Sequence, residues 1–199
     1  MKKQVFPARF DLTLPEWAAD ELAALTDHRF ATIEDRMRMV ITLARTNYEF
    51  DTGGPFAAAV FDEPDGRLVA IGVNRVVPMR CSSAHAEVMA LSLAQQAVGT
   101  HDLGAAGQPP HQLVVNWCPC AMCCGAVAWS GVRTLVTAGS GPELEEITGF
   151  DEGPIHPDWE GELTRRGVRV IDSILRDETC EMFRAFARSG RPVYNARQG

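Results

Sequence analysis

Two short polar segments, well separated along the chain, constrain its fold more than any other feature. Ala84-His85-Ala86-Glu87 places an imidazole two residues before a carboxylate, and Pro119-Cys120-Ala121-Met122-Cys123 places two thiols three residues apart. One imidazole and two thiolates suit tetrahedral zinc, and three protein ligands leave a fourth position open for water, as in catalytic sites. The sequence therefore predicts a fold that brings His85, Cys120 and Cys123 together around Zn2+.

Glu87 has the chemistry of a proton shuttle beside such a metal. A carboxylate next to zinc-activated water can take a proton as a general base and return it to a ring nitrogen and a leaving amine. Both segments are predicted to begin helices, whose positive N-terminal ends favour the thiolate that zinc requires. A structural zinc site has no use for Glu87 and normally fills its fourth ligand position, so the combination favours a catalytic site.

Apolar periodicity and turn residues divide the chain into alternating helices and strands. One helix is predicted at 16–25, and a second begins after a cap at Thr32. Further helices are predicted at 84–96, with Ser82 or Ser83 as the cap, from the Cys-rich bend to about 130, and at 176–188. Strands are predicted at 56–61, 68–73, 113–115, 134–138 and 168–171, and a long functional loop at 139–159. This alternation indicates a three-layer α/β domain over residues 32–199, preceded by an N-terminal helical extension over residues 1–31.

Charge and composition disfavour several classes of protein. The net charge of −7 argues against general nucleic-acid binding, although the segment from Gly161 onward carries +3 against −10 for the first 160 residues. No apolar run is long enough for a secretory signal or a membrane span. Four of the six cysteines lie between Cys118 and Cys124, a spacing better suited to a metal than to disulfides. We therefore expect a cytoplasmic protein that binds neither membrane nor nucleic acid.

At the two zinc segments the chain resembles the cytidine and deoxycytidylate deaminase superfamily, whose nucleobase deaminases share the pattern H-x-E with P-C-x-x-C. From about Thr32 onward it is most similar to the guanine deaminase branch. That similarity rests on Gly53-Gly54-Pro55-Phe56, Gly72-Val73-Asn74, Gly125-Ala126-Val127-Ala128-Trp129 and Thr148-Gly149-Phe150-Asp151-Glu152. The resemblance implies an α/β/α cytidine-deaminase-like fold with a central mixed sheet, a Zn2+ cofactor, and hydrolytic removal of an amino group from a guanine-like ring with release of ammonia.

The resemblance also implies how a small amino-heterocycle is held. Its substrate-binding residues would be Phe56, Asn74, Ala86, Trp129, Asp151, Glu152 and Tyr194. Asn74 would hydrogen-bond the purine, Phe56 and Trp129 would flank it, and an acid, Glu152 in preference to Asp151, would accept its N–H groups. Tyr194 would close a partner's active site, through exchange of a C-terminal segment of about residues 176–199 in a homodimer.

Several alternatives stay open at this point. Cys118 stands where the family usually has Glu, so the substrate's shape near zinc can differ. The same zinc site could deaminate tRNA adenosine or a cytosine compound. A non-enzymatic alternative is a zinc-binding domain that has no catalytic activity and binds a partner. The sequence leaves open whether the substrate is a free base, a nucleoside or a non-nucleoside heterocycle, and it assigns no role to the N-terminal extension.

Overall fold

A five-stranded sheet forms the centre of the computed structural model, which describes residues 8–25 and 27–196. Its strands are β1 (Ala57–Asp62), β2 (Leu68–Val73), β3 (His111–Val115), β4 (Thr134–Thr137) and β5 (Arg169–Ile171). Their order across the sheet is β2-β1-β3-β4-β5. β1 pairs antiparallel with β2 and β3, whereas β3, β4 and β5 run parallel, so the sheet is mixed as predicted.

Eight helices accompany the sheet within the described residues. They are α1 (Glu16–Ala24), α2 (Ile33–Glu49), α3 (Val76–Met79), α4 (Ala86–Val98), α5 (Ala121–Ser130), α6 (Glu143–Thr148), α7 (Trp159–Arg165) and α8 (Arg176–Arg188). The long amphipathic helices lie where the periodicity predicts them, and α8 has the predicted bounds. α3, α6 and α7 were not predicted, and α6 occupies part of the stretch predicted to be a loop.

The two faces of the sheet bury separate apolar clusters. Ala59 and Phe61 of β1 belong to the cluster that contains α2 and α8, whereas Ala58 and Val60 belong to the cluster that contains α4 and α5. This alternation follows from the two-residue period of a strand that is covered by helices on both sides. It confirms the three-layer α/β/α architecture. Helix α1 joins the first cluster through buried Ala18, while the domain boundary after residue 31 stays a prediction.

Local capping sets where the helices of the site begin. The Thr32 hydroxyl accepts a hydrogen bond from the Asp35 amide at 3.0 Å, so Thr32 caps α2 as predicted. The predicted cap at Ser82 or Ser83 is wrong, because α4 begins two residues later with His85 in an extended conformation as its N-cap residue. Cys120 occupies the equivalent extended position before α5. None of the helices in the described ranges is both long and apolar enough to cross a membrane.

Candidate active site

His85, Cys120 and Cys123 converge although they come from distant parts of the chain. Their potential ligand atoms all lie within 4.8 Å of one another, and Cys120 Sγ is 3.5 Å from His85 Nδ1. His85 and Cys120 are the residues immediately before α4 and α5, and Cys123 lies in the first turn of α5. One imidazole and two thiols at this spacing form a donor set that fits a zinc ion.

The electrostatics of this cluster favour a thiolate at Cys120. Hydrogen bonding from the Cys123 thiol lowers the pKa of Cys120 to about 4, against the opposing effect of burial, and His85 contributes in the same direction. Burial raises the pKa of Glu87, and the negative charge of Cys120 adds to that shift. Glu87 is 6% exposed and therefore sits in a dry environment beside the metal-ligand cluster. A carboxyl group with a raised pKa is suited to both taking and returning a proton.

A cavity of 490 Å³ opens beside the cluster and includes His85, Glu87 and Cys120 in its wall. Five of the predicted substrate-binding residues also line it: Phe56, Asn74, Asp151, Glu152 and Tyr194. A concave pocket of this volume, with a few convergent polar groups and otherwise apolar walls, suits a ligand of the size of a purine. The fold thus brings the candidate metal ligands, the predicted proton shuttle Glu87 and most of the predicted binding residues to one place.

Asn74 is held rigidly at the end of β2. The side-chain amide of Asn47 donates to the carbonyls of Asn74 and Gly54, at 2.9 Å in each case. A Cβ atom at Gly53 would lie 1.7 Å from the Asn74 carbonyl oxygen, so only glycine permits this approach of the two chain segments. The Asn74 side-chain nitrogen donates to the Tyr194 hydroxyl. Asn74 therefore presents an amide group, fixed by its neighbours, at the cavity wall.

Glu152 and Asp151 are adjacent but have different surroundings. The Asp151 carboxylate accepts from the Gly153 amide at 2.8 Å and so stabilises its own turn. Glu152 is half-buried, and its removal from water raises its pKa to about 8, with further increases from the negative charges of Cys120 and Glu87. A bound cation and N–H donors from a ligand would each favour the ionised carboxylate. Glu152 is accordingly the carboxylate of this pair that is free to bind a ligand.

Aromatic side chains form the apolar part of the cavity wall. Phe150 contacts Phe56 and Tyr194 edge to face, with ring centroids 5.0 Å and 5.2 Å apart. Trp117 also lines the cavity and packs against Phe183 of α8. Neither Phe150 nor Trp117 is among the predicted substrate-binding residues, although Phe150 lies within the Thr148 to Glu152 segment of the resemblance. The signal available for Phe150 was an isolated apolar residue between glycine and two acids in an irregular stretch.

Two predicted binding residues lie outside the cavity wall. Trp129 is 87% exposed on α5, because it follows inward-facing Val127 by two residues and so points about 200° around the helix from it. Trp129 therefore does not line the cavity of its own chain, and its contact with a bound ring stays a prediction. Ala86 is fully buried in the cluster between the sheet and α4, so its side chain serves packing rather than the cavity wall.

Tyr194 lines the cavity of its own chain. Burial raises its pKa, and nearby Glu152 adds to the shift, so the phenol stays neutral while it accepts from Asn74. Arg191 fixes the same C-terminal segment by donating to the Asp51 carboxylate and the Glu49 carbonyl, at 2.9 Å each. Tyr194 thus reaches a cavity without leaving its own chain, and exchange of the segment in a dimer stays a prediction.

The two neighbouring thiols remain outside the ligand cluster. Cys118 lines the cavity, and burial raises its pKa to about 12, so it is a neutral thiol. Cys124 is directed elsewhere, since its sulfur donates to the Pro119 carbonyl oxygen at 3.3 Å. Cys118 therefore contributes a small, uncharged wall where the family usually has a carboxylate.

A mixed sheet lies between two helical layers, and one imidazole, two thiols and a buried glutamate meet at one cavity. This fold and this set of side chains are those of the zinc-dependent hydrolytic deaminases. Residues 31–139, more than half of the chain, match the family described as the cytidine and deoxycytidylate deaminase zinc-binding region. The chain belongs to this family.

Solved structures and curated relatives place it within that family. It is 45% identical to guanine deaminase from Nitrosomonas europaea, with 93% of this chain and 100% of that chain covered and a TM-score of 0.85. The protein NE0047, in a complex with 2,6-diaminopurine, is 48% identical over 94% of this chain and 97% of its own, also with a TM-score of 0.85. Guanine deaminase of Bacillus subtilis is 30% identical over 72% of this chain and 87% of its own length. These similarities confirm the predicted resemblance to the guanine deaminase branch.

Proposed function

We propose that this protein is a zinc-dependent guanine deaminase, which hydrolyses the exocyclic amine of guanine or a closely related amino-heterocycle and releases ammonia. The observation that carries this proposal is Glu152, a carboxylate free of its own turn on the wall of a purine-sized cavity shared with His85, Cys120 and Glu87. A carboxylate there can accept from adjacent N–H donors on the guanine edge. A ring without those donors would leave the charge unpaired, at a cost in binding.

Zinc would be held by His85, Cys120 and Cys123. When bound, it supplies a water of lowered pKa and neutralises charge that develops on the substrate during hydrolysis. The fit of this donor set, three ligands with ligand atoms within 4.8 Å of one another, supports the metal. Cys118 and Cys124 are not needed for it.

The chain's own residues divide the remaining work. Glu87, buried beside the ligand cluster, takes the two protons of the attacking water in turn; it delivers the first to the ring nitrogen and the second to the departing amine, which leaves as ammonia. Asn74 hydrogen-bonds the ring from the end of β2, and Phe56 and Phe150 provide apolar contact area. Tyr194 covers the ring from the C-terminal segment. Together these groups orient the amine-bearing carbon and exclude bulk water.

A homodimer in the cytoplasm is the assembly and compartment that we propose. Trp129 and Met122 expose 87% and 41% of their surface on one side of α5, and a second copy of the chain would cover this apolar surface. The acidic charge of the first 160 residues disfavours tRNA as a substrate. Sedimentation velocity over a range of concentrations tests the dimer, and a monomer throughout would refute it.

The decisive experiment measures ammonia release by the zinc-loaded protein from guanine, guanosine, ammeline-like triazines, adenine, cytosine and cytidine. Glu87→Ala, with its zinc content verified, serves as the blank. We expect turnover of guanine-like members that is lost in the variant, by about 100-fold or more. Turnover of cytosine or cytidine alone would refute the purine assignment. Silence across the panel, with full zinc occupancy, would favour a non-catalytic zinc domain.

A further inference from the structure

Asn195 makes two hydrogen bonds to the turn that carries Glu152. Its side-chain nitrogen donates to the Gly149 carbonyl at 2.8 Å, and its side-chain oxygen accepts from the Asp151 amide at 2.9 Å. A single side chain thus bridges the beginning and the middle of residues 149–153, which we call the acid-bearing turn. We propose that Asn195 is a positioning residue that sets the placement of Glu152, an inference that rests on the proposed function.

Apart from Asn195, the acid-bearing turn is held by the packing of buried Phe150 and by the hydrogen bond from the Gly153 amide to the Asp151 carboxylate, which lies within the turn itself. It begins at Gly149, which ends α6 in the left-handed conformation with φ of 81°, and it ends at Gly153 with φ of 71°. Two weaker contacts hold Glu152 itself, each at 3.3 Å: its amide donates to the Glu145 carboxylate, and its carbonyl accepts from the Ala121 amide. The Asn195 bonds are shorter than these. Loss of both should therefore widen the range of positions of the Glu152 carboxylate.

The neighbouring residue gives this contact a second consequence. Tyr194 accepts a hydrogen bond from Asn74 on one side of the cavity, while Asn195 binds the acid-bearing turn. All three residues line the cavity. Tyr194 and Asn195 thereby set the distance between the Asn74 amide and the Glu152 carboxylate. Under the proposed function, these two groups bind opposite edges of the ring.

Asparagine is suited to this position because it offers one donor and one acceptor. Aspartate at 195 would keep the acceptor for the Asp151 amide but would place a second carboxylate oxygen against the Gly149 carbonyl. Alanine would remove both bonds. The two substitutions therefore report on the same contact with different chemistry.

The experiment compares Asn195→Ala and Asn195→Asp with Arg191→Ala as the matched control. Arg191 anchors the same C-terminal segment to Asp51 and Glu49, away from the acid-bearing turn. Steady-state constants are measured for guanine and for 1-methylguanine. In 1-methylguanine a methyl group replaces the hydrogen on ring N1, so one N–H donor is missing. We expect Asn195→Ala to lower kcat/KM for guanine about tenfold, mainly through a higher KM. The ratio of kcat/KM for guanine to that for 1-methylguanine should therefore fall. The Arg191 variant should keep that preference.

Amide hydrogen exchange provides a readout that does not depend on turnover. Faster exchange within residues 149–153 is expected in both Asn195 variants but not in Arg191→Ala. Unchanged KM and unchanged exchange in the Asn195 variants would overturn the inference, and so would equal effects of the Arg191 variant. If guanine is not a substrate of the unaltered protein, the proposed function fails, while faster exchange in the Asn195 variants alone would still support the positioning role.

Discussion

Two glutamates in the wall of one cavity, Glu87 and Glu152, have different surroundings. Glu87 lies at the start of α4 and is buried beside the metal-ligand thiols, where a raised pKa favours proton transfer. Glu152 lies on an irregular turn and is half-buried, and its removal from water raises its pKa to about 8. Different environments commonly separate the roles of two carboxylates in one active site. Under the proposed function, Glu87 would transfer protons and Glu152 would recognise the ring.

Glu152→Gln tests recognition at this scale. The amide keeps the size of the side chain but loses the charge and turns one acceptor into a donor, so one of two adjacent guanine N–H groups loses its acceptor. We expect kcat/KM for guanine to fall about 100-fold. Asp151→Asn is the matched control, because the Asp151 carboxylate binds the Gly153 amide instead of facing the cavity freely. Equal losses in the two variants, measured by steady-state ammonia release, would contradict the assignment of Glu152.

At the scale of elements, close approach of the segment before β1 to the end of β2 fixes Asn74. Gly53→Ala would put a Cβ atom 1.7 Å from the Asn74 carbonyl oxygen and 2.6 Å from the Asn47 side-chain nitrogen. One of the segments must shift, which we expect to cost about 1–3 kcal/mol of unfolding free energy. The KM for guanine should rise as well, because Asn74 moves.

Gly125→Ala is the control for this substitution, since no described atom beyond its chain neighbours and the backbone of its own helix lies within 4 Å of a Cβ added there on α5. Alanine in a helix should be neutral or stabilising by up to about 1 kcal/mol. Urea unfolding of both zinc-loaded variants measures the difference. A Gly53 variant as stable as the parent, with unchanged KM, would show that the two segments separate without consequence.

Periodicity predicted the long elements and missed the short ones for an identifiable reason. The helix over Arg176–Arg188 alternates apolar and charged faces over several turns, so its bounds can be read directly. Glu143–Thr148 is six residues long, too short to establish a period, and it lies among glycines, prolines and acids. The zinc segments were recognisable because ligand chemistry limits the residue types at each position. The position of Trp129 outside the cavity wall could not be read from the sequence, because the side of α5 that meets the cavity depends on tertiary packing.

The C-terminal segment illustrates what sequence alone leaves undetermined. Tyr194 was proposed from resemblance, and no pattern in the residues after α8 predicts the path that brings it to Asn74. No sequence pattern predicts a role for the adjacent Asn195. Its role follows only from its hydrogen bonds to the acid-bearing turn. Long-range contacts of this kind arise from the packing of the whole chain.

For the whole molecule, the predicted zinc ligands connect the starts of two helices that already share the apolar cluster on one face of the sheet. α4 supplies His85 at its start, and α5 supplies Cys120 and Cys123. An ion bound by all three ligands would hold the two helices and stabilise the native state over the unfolded chain. At free zinc 100 times Kd this linkage is worth about 2.7 kcal/mol.

We therefore expect the midpoint of thermal unfolding to fall when a chelator removes zinc and to recover when zinc is restored. Cys123→Ser should abolish this dependence on the metal. Cys118→Ser should retain it, because Cys118 lines the cavity but is not part of the ligand cluster. Differential scanning calorimetry, with metal content measured in parallel, checks both variants. Zinc-dependent stability that persists in Cys123→Ser and vanishes in Cys118→Ser would mean that the ligands are assigned to the wrong thiols.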